Sequence, residues 1–322
     1  MKLKKILITG CAGFIGFHTT KIFLDKNYHV VGIDDLNKYY DTKLKSKRLK
    51  ILKAYKNFKF YKININNRNQ LKKVSKTKFE ILIHLAAQAG VRYSISNPYE
   101  YFSTNLLGFC NILHLAKEQK TEKFIYASSS SIYGDKNSVP FKEDKSDTNN
   151  PIQLYAATKR SNEIIARSYY NLFKMSVIGL RFFTVYGEYG RPDMAIFKFT
   201  KNIINEKKIN VFNYGKHFRD FTHVNDVAET VYKITKMKQG NKKTYQIFNV
   251  GSGKPIKLMK IIKYLEKYIG KKAKIKFLKK QPGDMKGTFA KNENFKKIIG
   301  FKQKVNIKEG LKNFVDWYKK NY

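Results

Sequence analysis

Lys5-Ile6-Leu7-Ile8-Thr9-Gly10-Cys11-Ala12-Gly13-Phe14-Ile15-Gly16 opens with an apolar run and then passes into glycines spaced by three. The run suits a buried strand, and an amphipathic pattern over 14–26 follows it. GxxGxxG between a strand and a helix permits a tight turn and a close approach of backbone to a pyrophosphate. The helix N-terminus adds N–H donors and partial positive charge. Gly10, Gly13, Phe14, Ile15 and Gly16 are therefore candidate dinucleotide contacts. Asp34 closes the next apolar run, 18 residues after Gly16. A carboxylate there can accept from both hydroxyls of an adenosine ribose and disfavours the extra phosphate of NADP. Asp35 could share that contact.

Outward from this loop, short apolar runs alternate with helical patterns. Strands are expected at 5–9, 29–33, 58–63, 80–84, 123–127 and 176–180, and helices at 14–26, 70–76, 98–119 and 153–173. Strand–helix alternation implies a parallel sheet covered on both faces, and near-continuous apolar strands agree with it. The expected fold is α/β, a Rossmann-type doubly wound parallel sheet with a smaller C-terminal substrate-binding domain. After about residue 180 the elements shorten and Gly/Pro punctuation increases. Residues 1–180 are assigned to the first domain, with 224–250 returning to it, and 181–223 with 251–322 to the second.

Composition narrows the class. The 322 residues are 42% hydrophobic and 15% aromatic, enough to build a core. The formal net charge is +41, but only eight of the 65 basic residues are arginine, and the lysines are scattered without a block. A lysine-biased composition explains this better than a dedicated nucleic-acid surface, which would draw on arginine. No specific nucleic-acid partner is expected. Cys11 and Cys110 form neither a CxxC pair nor a disulfide framework, which suits a reducing cytoplasm. No metal-ligand spacing appears. The start resembles a signal peptide until its apolar run breaks at Thr9-Gly10, and no stretch is apolar enough to span a membrane.

The chemistry-bearing pattern comes later. Ser128-Ser129-Ser130-Ser131 ends the fifth apolar run, and Tyr155-Ala156-Ala157-Thr158-Lys159 lies on an expected helix. Four-residue spacing puts Tyr155 and Lys159 on one helix face. Removing a proton from a sugar hydroxyl as a hydride leaves calls for a base active near neutral pH. A free tyrosine titrates near about 10, and a nearby ammonium or oxidised nicotinamide would lower that value. Ser129 can hydrogen-bond the same sugar oxygen, and Lys159 can also hold the nicotinamide ribose.

These residues resemble the extended short-chain dehydrogenase/reductase superfamily and, within it, bacterial UDP-glucuronate 4-epimerases. The likeness covers essentially the whole chain. It rests on the segments already quoted and on His84-Leu85-Ala86-Ala87-Gln88-Ala89-Gly90-Val91-Arg92, Arg181-Phe182-Phe183-Thr184-Val185-Tyr186-Gly187, Gly190-Arg191-Pro192-Asp193-Met194, Phe218-Arg219-Asp220-Phe221-Thr222 and Gln281-Pro282-Gly283-Asp284. The resemblance implies tightly held NAD, a UDP-sugar in the cleft, and a homodimer joined through the helices at 98–119 and 153–173. It places Asn37, Leu85, Ala86, Ala87, Gln88, Asn105, Tyr155, Lys159 and Phe182 among the cofactor contacts. It makes Ser129, Tyr155 and Lys159 catalytic. It puts Val91, Arg92, Ser129, Ser130, Ser131, Thr184, Arg191, Arg219 and Asp284 around the substrate, Arg191 on the uronate carboxylate and Arg219 on the diphosphate or beside Asp220. Two positions depart from the pattern: Asn64 stands where an Asp near the adenine is usual, and Asp35 replaces a common Asn. Ser130-Ser131 replace the Asp-Glu pair of sugar dehydratases, and the Glu of decarboxylating relatives is missing.

The expected activity is reversible inversion at carbon 4 of UDP-glucuronate, giving UDP-galacturonate through a 4-keto intermediate. A 4-epimerase of neutral UDP-hexoses is the nearest rival, separated by Arg191. A Rossmann-fold RNA-binding protein is the remote one, and it would have no need of Ser129, Tyr155 and Lys159 together.

Overall fold

The computed structural model describes residues 4–135, 139–237, 243–281, 283–285 and 287–322. Pro282 of the 281–284 motif and residues 238–242 of the 224–250 segment lie outside the described residues. The strands are β1 (Lys5–Thr9), β2 (His29–Asp34), β3 (Phe58–Lys62), β4 (Ile81–His84), β5 (Lys123–Ser129), β6 (Val177–Phe182), β7 (Thr184–Tyr186), β8 (Ile209–Phe212), β9 (Phe218–His223), β10 (Tyr245–Val250), β11 (Pro255–Lys257) and β12 (Ile275–Leu278). Seven of them form one sheet in the order β10-β6-β5-β4-β1-β2-β3. Every pairing in it is parallel. The chain runs outward from β1 to β3, then crosses back to β4 and runs the other way. The crevice beyond the carboxyl ends of β1 and β4 is thus the topological switch point, where doubly wound sheets bind ligands.

Alternation along β1 builds both cores. Ile6 and Ile8 join one cluster with Phe17, Phe23 and Val30, while Leu7 joins another with Leu82, Phe109 and Ile112. The helix Val224–Lys236 packs on the helix Phe14–Asp25 through Val227 and Val231, and β10 then adds to the sheet beside β6. The smaller layer consists of the three-stranded sheet β11-β9-β7 and the pair β12-β8. It has its own core, including Phe197, Ile209, Ile261, Leu265 and Phe314.

Two features differ from the sequence expectation. The helix Thr42–Lys53 was not foreseen, because its buried side carries Lys45 and Arg48 among Leu44, Leu49 and Leu52. The helical stretch expected at 98–119 widens to a π-helix over Phe102–Gly108 between the α-helices Pro98–Tyr101 and Phe109–Glu118. Such widening is frequent at functional sites. Here Asn105 falls within it and is buried.

The turn after β1 depends on two glycines. Gly10 has a φ of +72°, and a Cβ there would lie 2.7 Å from the Ala86 amide nitrogen. Gly16 is helical, and a Cβ on it would lie 1.9 Å from the Gly10 carbonyl oxygen. Helix propensity alone favours alanine over glycine by about 1 kcal/mol. The clash with backbone reverses that sign, since overpacking costs about 1–3 kcal/mol or more. Gly16→Ala is expected to melt several degrees below the wild type in a thermal scan; an equal or higher midpoint would show that the turn relaxes freely.

Candidate active site

The switch-point crevice opens into a cleft of about 810 Å³ between the sheet and the smaller layer. Gly10, Gly13, Phe14, Ile15 and Gly16 line one end, and the helix Phe14–Asp25 starts there from Gly13 without a side-chain cap. Its first turn thus lines the cleft with N–H groups that no side chain caps, as an anion site needs. Asp34 is buried at the end of β2, where Oδ2 accepts from the Ala12 N–H at 3.1 Å and Oδ1 from the Leu36 N–H at 2.8 Å. Each oxygen keeps further lone pairs for a ligand hydroxyl. Burial pushes the Asp34 carboxyl up, and the nearby Lys45 ammonium opposes it. Lys45 donates to Asn37 Oδ1 at 2.8 Å, so both residues stand at the rim of the same pocket.

Across the sheet, β5 runs to Ser129, one strand turn further than its apolar run suggests. Ser129 is extended and caps the short 3-10 turn Ser130–Tyr133, accepting from the Ser131 N–H at 3.2 Å. Behind it the Ser128 hydroxyl donates to Glu163 at 2.6 Å. Glu163 is fully buried and held bidentately by Arg181, which also donates to the Tyr133 hydroxyl at 2.7 Å. A satisfied buried network of this kind fixes the strand end that carries the serines.

Tyr155 and Lys159 project from the first turns of the helix Leu154–Phe173 into the cleft. Burial pushes the Tyr155 hydroxyl up, while its hydrogen bond with Ser129 and the charge of Arg191 pull it down. Burial pushes Lys159 down to about 8. Its ammonium donates to the Ala127 carbonyl at 3.0 Å and lies 6.0 Å from the Tyr155 ring centroid. Lys159 thus stands beside the Tyr155 ring, and the charge of Arg191 also reaches the phenol.

Arg191 is more engaged than the sequence suggests. Its Nε donates to Asp193 Oδ1 at 3.0 Å and its Nη2 to Oδ2 at 2.5 Å, and Tyr39 donates to the same Oδ2 at 3.1 Å. One edge of the fork is therefore held by Asp193, and the Nη1 edge remains for a ligand. Arg92 pairs with Asp284 at 3.1 Å and stacks over Phe212 at 4.5 Å. Arg219 donates to the carbonyls of Phe218 and Met285. Asp220 instead accepts from Ser252, Gly253 and Ala290 backbone N–H groups and from the Ser252 hydroxyl. The alternative in which Arg219 pairs with Asp220 finds no support in these contacts.

Leu85, Ala86, Ala87, Gln88, Val91, Arg92, Ser129, Ser130, Ser131, Phe182, Thr184, Arg191, Arg219 and Asp284 all line the cleft. Asn105 does not. Its amide accepts from the Gln88 N–H at 2.8 Å and donates to the Gln88 carbonyl at 3.0 Å and to Thr158 at 3.1 Å. It clips the cleft wall to the Tyr155 helix from behind. Tyr39, Lys45 and Asp193 also line the cleft and were missed. Asp193 sits in a quoted motif; Tyr39 and Lys45 had no local signal. Asn64 reaches the cleft too, its side chain accepting from the Asn66 N–H at 2.9 Å. Among the described residues no group of His, Cys, Asp and Glu could hold a metal, and no helix is long and apolar enough to cross a membrane.

Comparisons with known proteins agree with this arrangement. The family model described as the NAD dependent epimerase/dehydratase family matches residues 6–251. A UDP-glucuronate 4-epimerase of Thermodesulfobacterium geofontis is 44% identical, over 98% of this chain and 96% of that one. The crystal structure of UDP-glucuronic acid 4-epimerase from Bacillus cereus, in complex with UDP-glucuronic acid and NAD, superimposes with a TM-score of 0.91 at 32% identity, covering 99% of this chain and 100% of that one. UDP-glucose 4-epimerase from Thermotoga maritima, with UDP-glucose, gives a TM-score of 0.87 at 27% identity over 98% and 99% of the two chains. Matched along nearly its full length, the chain belongs to the NAD dependent epimerase/dehydratase family.

Proposed function

We propose that the protein interconverts UDP-glucuronate and UDP-galacturonate by inverting carbon 4 of the sugar, with NAD kept in the cleft. The observation that carries this reading is one continuous cleft. It joins the glycine cradle and Asp34 to Tyr155, and Tyr155 to the half-buried Arg191, with three serines and Thr184 in the same lining. The names of the Thermodesulfobacterium and Bacillus relatives point the same way.

The chain's residues fit the cofactor. Gly10 and Gly16 let the loop after β1 close tightly against the helix start, the uncapped first turn of that helix lines the cleft where a diphosphate would sit, and Asp34 has acceptors for a ribose diol. Gly13, Phe14, Ile15, Asn37, Leu85, Ala86, Ala87, Gln88 and Phe182 complete that half of the cleft, and Lys159 holds the nicotinamide ribose. When bound, NAD supplies an acceptor that takes and returns a hydride.

The rest of the chemistry belongs to the chain. Tyr155 takes the proton of the sugar 4-hydroxyl, with Ser129 hydrogen-bonded to the same oxygen. The Lys159 ammonium, with oxidised nicotinamide when bound, would favour the phenolate that this requires, and the charge of Arg191 adds to them. Loss of that hydroxyl proton, together with the hydride that bound NAD would accept from carbon 4, leaves a 4-keto sugar; it turns about its diphosphate linkage so that carbon 4 would regain hydride on its other face while Tyr155 returns the proton to the oxygen. Arg219, Arg92, Val91 and Asp284 hold the UDP end during that turn. The keto sugar is also a β-keto acid prone to lose carbon dioxide. The open edge of Arg191, with Ser130, Ser131 and Thr184, grips the carboxylate and limits that loss.

The division of labour follows the sheet. Residues 1–180 with 224–250 form the NAD-binding unit and 181–223 with 251–322 the UDP-sugar-binding unit, with Val91, Arg92 and the serines of the first and Phe182 of the second reaching across the cleft. The free thiols Cys11 and Cys110 suit the cytoplasm. An apolar face on two adjacent helices supports a homodimer: Tyr99, Phe102, Ile164 and Leu172 are exposed there. Tyr99 is 83% and Leu172 69% exposed.

Three outcomes test the reading. Tyr155→Phe should lower turnover of UDP-glucuronate by about 10²–10⁴-fold, the usual worth of a positioned acid/base; near-normal turnover would refute the assignment. Arg191→Ala should lose UDP-glucuronate turnover by about tenfold or more, as expected when a charged contact disappears; full activity would refute the clamp. Sedimentation should give a dimer for the wild type and a monomer for Leu172→Glu; a wild type that is monomeric at micromolar concentration would refute the helix-face interface.

A further inference from the structure

Arg48 is fully buried, yet it spends its N–H groups on two carbonyls and a phenol rather than on a carboxylate. Its Nη1 donates to the Ala12 carbonyl at 2.9 Å and to the Tyr40 hydroxyl at 2.7 Å. Its Nη2 donates to the Tyr189 carbonyl at 2.6 Å. Taking a guanidinium out of water is expensive, and carbonyl dipoles compensate it less well than a carboxylate would. A buried cation with these partners calls for a reason beyond packing.

The partners supply one. Ala12 lies inside the glycine loop, and its N–H is the donor to Asp34 Oδ2 at 3.1 Å. Asp34 and Arg48 therefore grip opposite ends of one residue. Tyr189 lies two residues before Arg191. The segment 187–193 that carries Arg191 is fastened at two further points to the nucleotide-binding half. His18 Nε2 meets the Glu188 carbonyl at 3.0 Å, and the Tyr39 hydroxyl donates to Asp193 at 3.1 Å. Tyr189 itself packs on Phe17 of the first helix, with ring centroids 5.1 Å apart. Among these fastenings Arg48 is the side chain that holds the glycine loop and the Arg191 segment at once.

We propose that Arg48 is a positioning residue that couples the cofactor site to the sugar site, keeping Ala12 and the Arg191 segment in one register so that each ligand strengthens binding of the other. This deepens the uronate epimerase reading and rests on it. The coupling is reciprocal by thermodynamic necessity: if UDP-glucuronate tightens NAD, NAD tightens UDP-glucuronate by the same factor. Lysine at position 48 keeps the charge and the aliphatic stem, but a single ammonium cannot reproduce the fork that reaches both carbonyls.

The experiment uses the full chain, stripped of nucleotide and titrated with NAD by equilibrium dialysis, with and without saturating UDP-glucuronate. Steady-state assays and a thermal scan accompany it. In the wild type UDP-glucuronate should tighten NAD by about fivefold or more, within the usual range of coupled sites. Arg48→Lys should weaken NAD by about tenfold and abolish that tightening. It should raise KM for UDP-glucuronate severalfold while kcat changes less. A folded Arg48→Lys with wild-type NAD affinity and KM would overturn the proposal, and so would a change in one ligand's binding that leaves the coupling intact. A merely structural role would lower the melting midpoint and leave the coupling in place. Should Arg48→Lys fail to fold, Tyr40→Phe removes one of the three bonds and decides: smaller shifts in both ligands support the proposal, and none overturns it. A wild type that neither binds nor converts UDP-glucuronate would instead refute the underlying reading.

Discussion

The Gly10 carbonyl lies where the side chain of residue 16 would be, and this contact organises the protein. With a hydrogen at Gly16, the first helix can begin directly against the end of β1. Its uncapped first turn then lines the crevice. The same turn brings Gly10 against the Ala86 backbone, so the loop after β1 and the loop after β4 share one wall. Gly10 and Cys11 both direct their N–H groups to the Ile33 carbonyl, which sets β2 and hence Asp34 beside the cradle. One close backbone approach thus places three parts of the cofactor half.

The catalytic half depends on buried charge. Lys159 is buried and Tyr155 and Arg191 are half-buried on the same cleft, and burial works against the phenolate and against the ammonium. Arg191 resists deprotonation, and Asp193 keeps one edge of its fork occupied. That division of the guanidinium gives the cleft a fixed cation without leaving it wholly uncompensated. The support lies further back. Glu163 and Arg181 fix the end of β5 behind Ser129, and Asn105 fixes Gln88 against the Tyr155 helix. Truncating such groups would disturb geometry before chemistry, which is why they read as scaffolding and not as reagents.

What could be read in the sequence was local. The glycine spacing, Asp34 at the end of its strand and the four-residue interval from Tyr155 to Lys159 each lie within one turn or one strand end, so pattern alone exposes them. The alternation of Ile6, Leu7 and Ile8 onto two cores agrees with a strand buried on both faces. The helix Thr42–Lys53 escaped because Lys45 and Arg48 interrupt its apolar stripe, although both are buried. The π-helical turn at Phe102–Gly108 escaped because its register answers to Gln88 and Thr158, which are distant in sequence. Tyr39 and Asp193, and Arg48 and Tyr189, meet across 154 and 141 residues, and no spacing rule foretells such contacts. Arg191 was legible as a cation, but its engagement by Asp193 was not, although the two are only two residues apart.

The account stands or falls on the sugar that this cleft converts. Purified protein incubated with UDP-glucuronate, and separately with UDP-glucose, both without added nucleotide, can be followed by proton NMR of the sugar. The account predicts that UDP-galacturonate accumulates from the uronate while UDP-glucose is left unchanged, which also requires NAD to have stayed bound through purification. Conversion of UDP-glucose alone would contradict it and would move the substrate to the neutral hexoses.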